Sequence, residues 1–106
     1  MIKITREEMQ SIYQFIFQSV YDLKLLTPYH DRIIVACPEF IIYFLKNYPK
    51  YEYRNQDTPF NELREYNIYG VKVQPHYANE VVVFYQDYHH NPEIYKPKIY
   101  IIKNEI

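Results

Sequence analysis

A chain of 106 residues, 48% of them apolar, is the size of one domain, long enough to bury a core and too apolar to be disordered throughout. Twelve basic residues against thirteen acidic ones leave a formal charge of −1, and no run of lysine or arginine offers a track for phosphates. One cysteine excludes an internal disulfide, and no leader or long apolar span is visible, so the expected setting is a reducing cytoplasm without membrane insertion.

The first predicted element is a helix opened by Thr5-Arg6-Glu7-Glu8, the pattern of a capping box. In that motif the Thr5 hydroxyl takes an orphan amide and Glu8 reaches back to the Thr5 amide, while Ile4 and Met9 form a hydrophobic staple. Met9, Ile12, Tyr13, Ile16, Phe17, Val20 and Tyr21 recur at steps of three and four, which reads as one apolar stripe facing a core. Gln10, Gln14 and Gln18 take the other side, and Thr27-Pro28 marks the exit, since the residue before proline disfavours helix.

Residues 33–36 are branched and continuously apolar, as a buried strand requires. Cys37-Pro38-Glu39 follows, with proline suited to a first helical turn and Glu39 to the amino-terminal dipole, predicting a second helix over 38–48. Its apolar run over 40–45 covers nearly the whole circumference and predicts burial on more than one side. Residues 49–58, polar except for Tyr51 and Tyr53, read equally as a short edge strand or a loop, and Thr58-Pro59 as the cap and first position of a short third helix through Tyr66.

A strand over 68–74 comes next, with Gly70, the only glycine, suggesting a bulge or a close backbone approach inside it. A short turn then leads to a strand over 80–85, and the brief connection predicts an antiparallel hairpin. A last strand spans 98–103, with Tyr100 and Ile102 on one face and Ile99 and Ile101 on the other; its lysines guard an edge against unwanted pairing. The expected fold is α+β, a three- to four-stranded, mainly antiparallel sheet packed against two or three helices as a single domain over 1–106.

Chemistry-bearing residues form no specific constellation, and no cofactor or metal motif is present. Cys37 stands at a strand-to-helix junction, where helix amides can lower a thiol pKa, but a nucleophile needs a base, and His30, His76, His89 and His90 show no supporting spacing. Asp87-Tyr88-His89-His90-Asn91-Pro92-Glu93 collects donors, yet adjacent histidines on extended backbone point apart rather than toward one ion. Glu62 and Glu65 read as a solvated helix face. Lys46, Lys50, Tyr51 and Arg54 make a mixed basic and aromatic patch, the basis of an alternative reading as a single-stranded nucleic-acid module. A small thiol- or metal-dependent enzyme is the other alternative.

Tyrosine supplies 14 residues and tryptophan none, beside high Ile, Lys and Asn, a bias in keeping with A/T-rich codons. Phenol rings are large, rigid and amphipathic, so a group of them makes an inexpensive recognition surface. Tyr51, Tyr53, Tyr66, Tyr69 and Tyr88 are the expected interaction surface, for a protein partner that is either a second copy or a heterologous chain.

Two phrases taken together, Val35-Ala36-Cys37-Pro38-Glu39-Phe40 entering a helix and Ile68-Tyr69-Gly70-Val71-Lys72-Val73 leading to Asn79-Glu80-Val81-Val82-Val83, resemble small accessory and structural proteins of tailed bacteriophages and prophages over residues 32–85. The same order resembles the late part of phage capsid proteins, whose long arm and larger shell domain have no counterpart here. The resemblance implies a stoichiometric binder of a host or phage protein, acting in the host cytoplasm, and supplies no catalytic residues.

Overall fold

The computed structural model describes residues 4–47 and 66–103. In chain order these form α1 (Arg6–Leu26), a 3-10 turn (His30–Arg32), β1 (Ile33–Cys37), α2 (Glu39–Asn47), β2 (Asn67–Ile68), β3 (Val71–Pro75), β4 (Glu80–Tyr85), a second 3-10 turn (Tyr88–His90) and β5 (Lys98–Ile101). The fold is α+β, as its residue patterns predict. Apart from Tyr66, the helix predicted from Thr58 and the connection before it lie outside the described residues.

α1 starts at Thr5, whose hydroxyl accepts the Glu8 amide at 3.0 Å. The reciprocal half of the capping box does not form, because the Glu8 carboxylate accepts the Lys103 amide at 2.7 Å and so ties the helix start to the chain after β5. Met9, Ile12, Tyr13, Ile16, Val20 and Leu23 are buried together, whereas Phe17 and Tyr21 are about half exposed, against the predicted stripe. Each follows a buried residue by one step, a rotation of about 100° around the helix. The sheet is reached by a narrower arc than the alternating apolar residues suggested.

The sheet has five strands rather than three or four, in the order β2-β3-β1-β4-β5. β1 pairs parallel with β3, Val35 opposite Val73, and antiparallel with β4, Val35 opposite Val83. The predicted hairpin between β3 and β4 is therefore absent. β1 occupies the space between them, and the four-residue connection from Pro75 to Glu80 passes over its end, where the His76 amide donates to the Cys37 carbonyl at 2.9 Å. The short connection was compatible with both arrangements. What separates them is the uniformly buried β1, which satisfies its backbone only with a strand on each edge.

Gly70 is a turn residue and not a bulge. Tyr69 at φ 51° and Gly70 at φ 79° are the two central residues of the β2–β3 hairpin, the positive pair that a type I′ turn needs. The Lys24 ammonium of α1 donates to the Tyr69 carbonyl at 2.8 Å and fastens that turn to the helix.

Ile33, Val35 and Cys37 of β1 belong to the same buried cluster as Val71, Val73, Val81, Val83 and the inward residues of both helices. α1 lies across β4, β1 and β5, α2 lies against β3, and the Tyr13 hydroxyl donates to the Leu45 carbonyl at 3.1 Å between them. Both helices thus cover one face of the sheet.

Replacing Gly70 by Ala should cost about 1–2 kcal/mol in urea unfolding, because a Cβ is penalised at this positive φ, while Gly70→Asn should cost less. The added Cβ would meet only the Lys24 ammonium, at 3.5 Å, so crowding adds little. Equal stability of the Ala variant and the parent would refute the turn assignment.

Candidate interaction surface

The second face of the sheet is built by residues of even number in β1, β3 and β4 and of odd number in β5. Strand register lays them in rows: Lys72, Ile34 and Phe84, then Gln74, Ala36, Val82 and Ile99, then Glu80 and Ile101. Ile34 and Ala36 are buried in the middle, Val82 and Phe84 are half-buried, and Ile99 and Ile101 are 54% and 64% exposed. Among the described residues no helix packs on this face. Lys72, Gln74 and Glu80 give it a polar rim, and the His76 ring nitrogen meets the Glu80 carboxylate at 3.1 Å. The described residues of this face thus have an apolar middle with polar groups around it.

The tyrosines distribute differently from expectation. Tyr51 and Tyr53 lie outside the described residues. Tyr66 is 8% exposed and joins the core, with the Lys46 ammonium 5.6 Å from its ring centre. Tyr69 is half-buried at the hairpin turn and meets Phe17 edge-on at 5.3 Å, with Phe17 in turn stacked at 6.4 Å on Tyr21. Tyr88 is half-buried after β4 and packs its ring 4.0 Å from that of His89. Tyr69 and Tyr88 share one end of the sheet, where β1 and β3 begin and β4 ends; Tyr66 does not present a ring to solvent.

That same end is closed by other phenols. Tyr85 and Tyr95 stack with centroids 4.3 Å apart, the Thr27 hydroxyl donates to the Tyr85 oxygen at 3.3 Å, and the Tyr95 hydroxyl donates to the Leu26 carbonyl at 3.5 Å. Arg32 lies over the Tyr29 ring at 4.7 Å and pairs with Asp87 at 2.8 Å, both carried on exposed side chains. These contacts hold the carboxyl end of α1 to the strands, so much of the tyrosine is structural clasp. Periodicity missed Phe17, Tyr21, Ile99 and Ile101 as surface groups; for the isoleucines the alternation within β5 was the available signal, once β5 is known to be an edge.

Lys46 is 5% exposed, while Lys50, Tyr51, Arg54, Glu62 and Glu65 lie outside the described residues, so no basic and aromatic track is brought together among the described residues. Cys37 is completely buried, and burial pushes its thiol up to about 12 from an ordinary value of 9.0. At neutral pH it is a neutral core group rather than a thiolate. His30, His89 and His90 are exposed, His76 is occupied with Glu80, and no cluster of three or more His, Cys, Asp or Glu side chains suited to a metal exists among the described residues. No described helix is long and apolar enough to cross a membrane.

No known protein family, characterised protein or solved structure matches the chain.

Alkylation of native Cys37 should proceed only through unfolding. A thiol held at about 12 instead of 9.0 is a thiolate about a thousandfold less often at pH 8, and the sulfur is out of reach as well. Iodoacetamide labelling followed by mass should show a native rate far below the rate in urea; similar rates would mean that the thiol is accessible.

Proposed function

We propose that this chain is a non-catalytic protein-interaction domain that acts by stoichiometric binding, with the exposed part of its second sheet face, around Ile99 and Ile101, as the contact surface. The observation that carries the reading is the exposure of Ile99 and Ile101 beside half-buried Val82 and Phe84 on the sheet face opposite Val35, where no helix packs among the described residues. Burying such a patch yields roughly 25 cal/mol per Å² of apolar area, while the polar rim selects orientation. Phe17, Tyr21 and Tyr69 offer a smaller aromatic area on the helix side, and Tyr88 contributes at the same end of the sheet.

A cytoplasmic phage accessory protein that occupies a site on a host or phage protein is the biological role in keeping with this chemistry. Its support is the resemblance over residues 32–85 together with the solitary reduced cysteine. Such an inhibitor or assembly partner needs shape and apolar area rather than a reacting group.

Phe84→Glu places a charge in the middle of the open face without touching the helix side. The variant should keep the far-ultraviolet spectrum of the parent and lose partners retained by the parent on affinity capture, by tenfold or more in apparent affinity at about 1.4 kcal/mol per factor of ten. Undiminished capture by a folded Phe84→Glu protein would remove the open face from the mechanism.

A further inference from the structure

The two edges of the sheet are unlike. On the β2 side the last strand is two residues long, and Pro75 puts its missing amide on the outward side of β3. That edge is blunt. β5 forms the other edge and runs four residues, with Ile99 and Ile101 exposed on the open face.

Hydrogen-bond parity fixes which backbone groups of β5 face outward. The Gln86 amide donates to the Arg32 carbonyl at 2.8 Å and the Ile102 amide to the Asn79 carbonyl at 3.2 Å, each extending its antiparallel ladder by one pair. Antiparallel pairs alternate, so residues 98, 100 and 102 turn their amides and carbonyls to β4, and residues 97, 99, 101 and 103 turn theirs away. Residue 97 is proline and has no amide, and the Lys103 amide is already donated to Glu8 at 2.7 Å. The outward amides still on offer are those of Ile99 and Ile101.

We propose that a second copy of this chain pairs with this edge, antiparallel, on a two-fold axis at Tyr100. The proposal rests on the interaction-domain reading and names its partner. In this register Ile99 stands opposite Ile101 of the second copy and Ile101 opposite its Ile99, so all four outward amides are satisfied by four outward carbonyls. A slip of one residue in each strand centres the axis on Ile99 or Ile101 instead. Either slip still forms four bonds, because the Pro97 and Lys103 carbonyls accept, but it opposes Ile101 to Pro97 or Ile99 to Lys103 and leaves the Ile101 or Ile99 carbonyl facing a residue with no amide to give. Only the Tyr100 register sets isoleucine against isoleucine in every bonded pair.

Side chains agree with the backbone. The four isoleucines meet on the open face and extend the row of Ala36, Val82 and Ile99 into the second copy, and two five-stranded sheets become one of ten strands. On the helix face Tyr100, whose ring lies 5.6 Å from that of Phe15, meets Tyr100 of the second copy in a non-hydrogen-bonded pair, the closer of the two pair types. Charge does not oppose the pairing. Lys98 lies 3.9 Å from Asp22 of its own α1 and comes opposite an isoleucine, and Lys103 comes opposite a proline.

Sedimentation across a concentration series tests the contact. The parent should move from its chain mass of 13.1 kDa toward twice that value as concentration rises. Ile99→Pro removes one outward amide from each copy while leaving the β4 ladder intact, and Ile101→Lys places a charge beside its neighbour; each should raise the dimer dissociation constant about tenfold or more. Tyr100→Cys brings two thiols to a Cα spacing of about 4.5 Å, within disulfide range, and mild oxidation should give a covalent dimer. Lys98→Cys should not cross-link, and buried Cys37 does not interfere. A parent that stays at chain mass throughout, or a dimer untouched by both edge variants and not trapped by Tyr100→Cys, overturns the pairing. Capture that still depends on Phe84 would then leave the interaction-domain reading standing, whereas Phe84-independent capture beside a trapped Tyr100→Cys dimer would leave only the pairing.

Discussion

β1 is held on four sides, and the rest of the molecule is arranged around that requirement. Its five residues are all buried, so every amide and carbonyl along it needs a strand partner, and every side chain needs an apolar neighbour. β3 meets it in parallel through the carbonyl of Cys37 and the amide of His76, and β4 meets it antiparallel through the carbonyl of Arg32 and the amide of Gln86. Its odd residues complete the cluster beneath α1 and α2, and its even residues form the middle of the opposite face. Placing β1 between β3 and β4 keeps those two strands from pairing with each other and pushes the two sheet edges out to β2 and β5.

From that centre the molecule is asymmetric. One layer of helices supplies Ile12, Ile16, Leu23, Ile41 and Leu45 to the buried face and leaves no described helix for the other. Tyrosine works mainly where α1 ends: Tyr85 and Tyr95 stack, and their hydroxyls are matched to Thr27 and Leu26. A phenol suits such a place because its ring joins the core while its oxygen answers a polar group that would otherwise be stranded. Ile99 and Ile101 stay exposed on the second face, and Phe17, Tyr21 and Tyr69 form a separate aromatic area on the helix side. The buried, neutral Cys37 belongs to the core.

Local signals carried a good part of the fold. The Thr5 cap, the Thr27-Pro28 stop, the branched run of residues 33–36 and the proline-started α2 each express a constraint that acts within a few residues, and each is found in place. Gly70 signalled a backbone irregularity, but a bulge and a type I′ turn both call for positive φ, and only the pairing of Ile68 with Val71 separates them. The excess of tyrosine suggested a surface without saying which rings reach it: Tyr66 and Lys46, adjacent to polar sequence, are buried, while Phe17, inside an apolar run, is not.

By itself, the sequence determined α1, α2, β1, β4 and β5 as elements, that the class is α+β, and that residues 99 and 101 share a side of their strand, because caps, prolines and alternation act over short distances; it ran β2 and β3 together as one strand. Tertiary structure alone decided that β1 separates β3 from β4, that the Glu8 carboxylate answers Lys103 rather than Thr5, and that no described helix covers the second face of the sheet, whereas the lysines of the last strand had already marked it as an edge. Those outcomes depend on pairing between segments distant in the chain, and such pairing leaves no periodicity in either of them.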